Sequence, residues 1–212
     1  MMPPRAAATC SAGKRSFTPC AAAGSGTTPT LLGRKLVAIT DNADPMHVIV
    51  YRRDRRGGGR EVCRRSVFAA GSSATDNSLV GFGRSLIVEN NNGYTFQTTE
   101  AGAITAPGVA RVDVRKGRCR LAWTSSVIAP SGVPKASLGS GLLYTYTREP
   151  SGDGSRAWYF TALDLDDGRT VFRRLTGAGT YWNDHYAPIS IGPDGVAYSG
   201  AVGGLVRIAD GG

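Results

Sequence analysis

The heptapeptide TYWNDHY, residues 180–186, is the densest run of chemically capable side chains in the sequence. Asp184 beside His185 sets a carboxylate next to an imidazole, the combination that moves protons near neutral pH. Two further loops hold the same place ahead of a short apolar strand. They are SSATDN from Ser72, with Asp76 and Asn77, and SGVPK from Ser131, with Lys135. Asp76, Asn77, Lys135, Asn183, Asp184 and His185 are therefore the expected ligand-binding set, gathered at one mouth of the fold. Asp and Asn also close turns through their own side chains, and no residue is assigned a catalytic role.

Carboxylate and amide runs recur elsewhere. DNAD (Asp41 to Asp44) and ENNN (Glu89 to Asn92) offer oxygen donors of the kind calcium prefers. Neither run has the alternating ligands, central glycine and distal glutamate of an EF-hand loop. Hairpin turns are the expected role, no metal site is assigned, and calcium is the one cofactor these runs would suit. A serine hydrolase is not indicated, because SLGSG from Ser137 belongs to a hairpin and no Gly-x-Ser-x-Gly elbow is present. Cys10, Cys20, Cys63 and Cys119 include no C-x-x-C pair, and the histidines are His47 and His185, which disfavours structural zinc. Three disulfide pairings stay open.

The elements that position these residues follow from an internal repeat. PTLLGRKLVAIT from Pro29, NSLVGFGRSLIVEN from Asn77, KASLGSGLLYTYT from Lys135 and PISIGPDGVAYSGA from Pro188 each read as strand, glycine turn, strand. Their glycines Gly33, Gly83, Gly141 and Gly195 are spaced by 50, 58 and 54 residues. A third strand follows each hairpin (from His47, Ala110, Trp158 and Gly204), and a fourth follows the first three (from Glu61, Cys119 and Thr170). This recurrence predicts an all-β propeller of about four four-stranded antiparallel blades. The expected blades are about 27–70, 71–127, 131–177 and 181–212. Residues 1–26 read as a low-complexity leader, and KRSFTPC from Lys14 is a candidate closing strand. Either the four blades close a ring, or they are part of a larger seven- or eight-bladed ring.

Composition agrees. The 29 glycines among 212 residues argue against a helical bundle. No apolar run is long enough to span a bilayer as a helix, and the leader lacks the apolar stretch of a recognisable signal peptide. The net charge of +9 comes from 21 arginines and 4 lysines against 16 acids, and it is densest in RRDRRGGGREVCRR from Arg52 to Arg65. Without interleaved aromatics or a recognition helix, this run reads as a solvated hairpin loop and not as a nucleic-acid surface.

YFTALDLDDGRTVFRRLTG (Tyr159 to Gly177) and APISIGPDGVAYSGAVGGLVRIADG (Ala187 to Gly211) resemble repeats of the pyrroloquinoline-quinone-like propeller superfamily. Ala162, Asp164, Gly168 and Phe172 match its Ala-x-Asp-x-x-x-Gly-x-x-x-Trp docking pattern, with Phe172 in the tryptophan place. Asp113 and Gly117 repeat part of it, with Trp123 two places late. The resemblance implies a propeller whose docking aromatics pack between blades; its members include quinoprotein dehydrogenases, outer-membrane assembly scaffolds and exported proteins. The cofactor cage of a quinone dehydrogenase has no counterpart here. The expected function is an exported, secreted or periplasmic or cell-surface, binding scaffold that takes a protein or small ligand at the propeller mouth. Edge-to-edge association is expected if the ring is incomplete. The alternatives are a fragment of a larger propeller, or a metal-assisted lactone or ester hydrolase using Glu89, Asn183 and Asp184. Reading Glu89 at the opposite strand end from the other two argues against the hydrolase.

Overall fold

The computed structural model describes residues 27–53, 60–150 and 156–210. The expected leader and the tip of the arginine-rich loop lie outside these residues. Four antiparallel sheets succeed one another along the chain. The first contains β1 (Thr30–Leu32), β2 (Leu36–Thr40), β3 (His47–Arg52) and β4 (Glu61–Ser66). The second contains β5 (Val80–Phe82), β6 (Ser85–Glu89), β7 (Val109–Arg115) and β8 (Arg118–Ser125). The third contains β9 (Lys135–Ser137), β10 (Leu142–Pro150), β11 (Arg156–Asp164) and β12 (Thr170–Ala178). The fourth contains β13 (Ser190–Ile191), β14 (Ala197–Ala201) and β15 (Gly204–Ile208). In each sheet the spatial order is the chain order. These are propeller blades, with the first strand of each innermost.

Residue type explains the register. In all four first hairpins the turn glycine sits at positive φ: 60° at Gly33, 53° at Gly83, 69° at Gly141 and 79° at Gly195. An L side chain resists that backbone, and glycine accepts it without steric cost. Side chains then alternate across each blade. Along β6, Leu86 and Val88 join a core with Leu36, Ala38, Val48 and Val50 of the first blade. Ile87, between them, points the other way and packs with Leu143, Leu163 and Leu165 of the third. A third core joins Tyr146, Trp158 and Phe160 to Ile189, Ala197 and Val206 of the fourth. The hydrophobic core of this molecule therefore lies between blades, where it holds neighbour to neighbour.

Polar ties reinforce these interfaces. A disulfide joins Cys63 on β4 to Cys119 on β8, stapling the outermost strands of the first two blades. The Thr30 hydroxyl donates to the Leu79 carbonyl at 2.9 Å across the same interface. Among the described residues no core joins the first blade to the fourth.

Two short elements depart from the all-strand expectation, one of them a 3-10 turn at Thr180–Trp182. Residues Phe96–Thr99 form a short helix, α1, between β6 and β7. Thr95 caps it, accepting from the Thr98 amide at 3.3 Å while the Thr98 hydroxyl accepts from the Thr95 amide at 2.9 Å. This reciprocal pair satisfies two backbone groups that a helix start leaves open.

Candidate functional site

Antiparallel pairing brings two sets of loops to one rim. The start of each innermost strand lies beside the end of its second strand, as Val80 pairs with Ile87 and Phe82 with Ser85. Glu89, at the end of β6, therefore meets Asn77, just ahead of β5. The Asn77 side-chain amide donates to Glu89 Oε2 at 2.8 Å and to the Ser131 carbonyl at 2.9 Å. The placement of Glu89 at the far end from the approach loops is thus corrected: a hairpin folds its two ends together.

Beneath the mouth, buried side chains form a belt across three blades. Asn91 accepts from the Thr75 hydroxyl and the Asp76 amide, both at 2.9 Å, and donates to the Pro130 carbonyl at 2.7 Å. Thr145 donates to Glu89 Oε1 at 2.8 Å. The Ser131 hydroxyl donates to Asp184 Oδ1 at 3.2 Å and accepts from the Tyr186 amide at the same distance. Asn183 donates to the carbonyls of Thr99 and Glu100, at 2.8 and 3.2 Å, and so fixes the end of α1.

Burial sets the charge state of this belt. Glu89 is raised to about 8 and Asp184 to about 7 by loss of hydration, only partly opposed by the hydrogen bonds that each receives. The Asp184 Oδ2 oxygen is buried without a hydrogen-bond partner. Gly132 makes room for it: a Cβ there would stand 2.1 Å from that oxygen.

Above the belt opens a cavity of about 360 Å³, lined by Asp76, Tyr94, Thr95, Thr99, Glu100, His185 and Tyr186. Tyr94 and Tyr186 meet edge to face at 6.3 Å, and His185 meets Tyr186 at 5.9 Å. The Tyr186 hydroxyl donates to Asp76 Oδ2 at 3.2 Å, and burial with the nearby Asp76 charge raises it to about 12. His185 and Tyr186 both hold positive φ, 42° and 65°. Such backbone costs about 1–3 kcal/mol for residues of this type and collects at functional sites.

The six expected residues separate into three groups. Asp76 and His185 line the cavity. Asn77, Asn183 and Asp184 lie buried below it as the frame. Lys135 opens β9, is exposed, and does not line the cavity. The expected pairing of Asp184 with His185 is also corrected: Asp184 turns inward to Ser131, and His185 remains exposed beside Tyr186. Tyr94, Thr99 and Glu100 escaped the sequence reading because α1 brings them to the mouth from a loop 80-odd residues away. The first-blade turn run is used locally, with Asp41 accepting from the His47 amide at 2.7 Å and touching its ring at 3.1 Å.

No protein-family model matches the chain. An uncharacterized protein of Archaeoglobus fulgidus is 26% identical over 218 residues, covering 88% of this chain and 42% of its own length. The crystal structure of BamB from Moraxella catarrhalis superposes with a TM-score of 0.56 at 14% identity, over 87% of this chain and 50% of BamB. The chain has a β-propeller fold. It spans half or less of the length of both proteins. No helix among the described residues is long and apolar enough to cross a membrane.

Proposed function

We propose that this propeller is a binding module outside the cytoplasm, and that its mouth cavity holds a basic side chain presented by a partner protein. One observation carries the reading: two carboxylates, Asp76 and Glu100, share a cavity with the rings of Tyr94, Tyr186 and His185. Aromatic faces and carboxylates together attract a guanidinium or ammonium group, and the attraction is stronger where water is partly displaced. The hydroxyls of Thr95 and Thr99 supply acceptors for its remaining N–H groups. Asp76 and Glu100 are the two carboxylates lining this cavity in a chain of net charge +9.

The Asp184 carboxylate turns to Ser131 while the His185 ring lies beside Tyr186, and Glu89 is held on both oxygens by Asn77 and Thr145. Asn183 spends its amide on the carbonyls of Thr99 and Glu100. Recognition is the function proposed for this geometry.

The disulfide between Cys63 and Cys119 supports an oxidising compartment. Membership of the pyrroloquinoline-quinone-like superfamily is supported by Trp123, whose ring packs against the Gly168 turn of the next blade. Titration with N-acetyl-arginine amide, followed at the resonances of Tyr94, Thr99 and Tyr186, tests the binding proposal.

A further inference from the structure

The third blade is polar where the second is apolar. On the face that β6 and β7 turn to the first blade, Leu86, Val88, Ala110, Val112 and Val114 all join one core. The matching face of the third blade, turned to the second, begins in the same way with Leu143 on β10 and Leu163 on β11. Strand alternation then places Thr145, Thr147 and Glu149 on that face of β10, and Thr161 and Tyr159 on that face of β11. Arg173 on β12 pairs with Thr161 and joins them.

Between these side chains and the connection leaving β8 lies a cavity of about 500 Å³. It shares no lining residue with the mouth cavity, and its size falls in the range of about 300–1,000 Å³ typical of small-molecule sites. Its floor is a pair of buried hydroxyls, Thr147 Oγ1 and Thr161 Oγ1, that stand 2.6 Å apart. One proton lies between them, and the second hydroxyl keeps its own for a further acceptor. One wall is apolar and fixed. Val127 and Ile128 are half-buried there, and their carbonyls accept from the Gly108 and Arg148 amides, both at 2.9 Å. The rim carries an ion pair of Glu149 with Arg173, whose guanidinium also stacks over the Tyr159 ring at 4.7 Å. Arg148 lines the cavity as well, but its guanidinium lies over Trp158, a member of the core shared with the fourth blade.

We propose that this cavity is a second binding site, and that it takes a neutral pyranose unit of a glycan or glycoside. Net charge decides between ligand classes. Glu149 and Arg173 neutralise each other, so the rim sets a carboxylate acceptor beside guanidinium donors without an excess charge to attract an ion. Two neighbouring sugar hydroxyls match that pair, one donating to Glu149 and the other accepting from Arg173. The floor hydroxyl donates to a further sugar oxygen. The C–H face of the ring is the surface that Val127 and Ile128 suit, since burying it against them removes apolar area from water. A free phosphate or carboxylate would meet the Glu149 charge at the same rim. Arg173 is held from two sides and the wall by two hydrogen bonds, so binding orders little that is not already ordered. The site is independent of what the mouth binds.

Titration of the full chain with the methyl glycosides of glucose, galactose, mannose and N-acetylglucosamine, followed at the amide resonances of Ile128, Thr147 and Thr161, reads the result. At least one glycoside is expected to shift all three saturably. Glu149→Gln at the rim and Thr161→Val at the floor are each expected to weaken that binding about tenfold, the loss of one hydrogen bond to the ligand. Glu149→Gln carries the test alone if Thr161→Val lowers the thermal transition. Absence of saturation with all four glycosides overturns the proposal, as does binding that Glu149→Gln leaves unchanged. Saturable shifts with inorganic phosphate and none with the glycosides overturn it too, and assign the cavity to an anion.

Discussion

The indole of Trp123 occupies the space that a side chain on Gly168 would need. A Cβ at Gly168 would lie 2.5 Å from the ring, and the indole N–H donates to the Leu165 carbonyl in the same turn at 2.9 Å. Trp123 belongs to the second blade and Gly168 to the third, so this pair locks two blades together. Arg111 donates to the same carbonyl at 2.7 Å while paired with Asp113. Replacing Trp123 with alanine is expected to cost about 3–5 kcal/mol. Gly168→Ala, which adds both a clash and an unfavourable φ of 76°, is expected to cost about 1–3 kcal/mol. Urea unfolding of each variant measures both losses.

Much of this packing was legible in the sequence for one reason: the repeat governs contacts as well as strands. Asn77 meets Ser131, 54 residues on, and Arg111 meets Leu165, also 54 residues on. Cys63 meets Cys119 at a separation of 56. A strand period with its turn glycine is a local property, so residues such as Gly33 and Gly195 announce it. The cavity is different. Glu100 reaches it only because α1 interrupts the β6 to β7 connection, and Asn183 holds α1 from 83 residues away. No spacing rule reports a contact that one blade makes with an insertion in another.

Reduction of the Cys63–Cys119 bridge is expected to lower the melting temperature. Its loop spans 56 residues, for which the chain-entropy account gives about 4 kcal/mol. Calorimetry with and without dithiothreitol, repeated on Cys63→Ser, separates the bridge from any effect of reductant.

Stability is expected to fall as pH rises from about 5 to 8. Glu89 and Asp184 bind their protons more tightly when folded, with values near 8 and 7, than in the unfolded chain, where ordinary carboxylates titrate near 4. Between those limits the folded state holds protons that the unfolded state has released. The stabilisation is therefore complete below about pH 4 and is lost as pH rises through 7 and 8. Glu89→Gln and Asp184→Asn should each flatten the melting temperature profile over this window.

Gly132→Ala is expected to destabilise by about 1–3 kcal/mol, because its Cβ would collide with the buried Asp184 oxygen. Asp184→Ala in the same chain removes that collision and should recover part of the loss. A double-mutant cycle by chemical denaturation measures the coupling.

The recognition proposal rests on the mouth cavity, and titration with N-acetyl-arginine amide addresses it most directly. Saturable shifts at Tyr94, Thr99 and Tyr186 are expected, weakened about tenfold in Asp76→Asn, with no saturation by N-acetyl-glutamine amide at equal concentration. Equal responses to both probes, or saturable arginine binding that Asp76→Asn leaves unchanged, would contradict it.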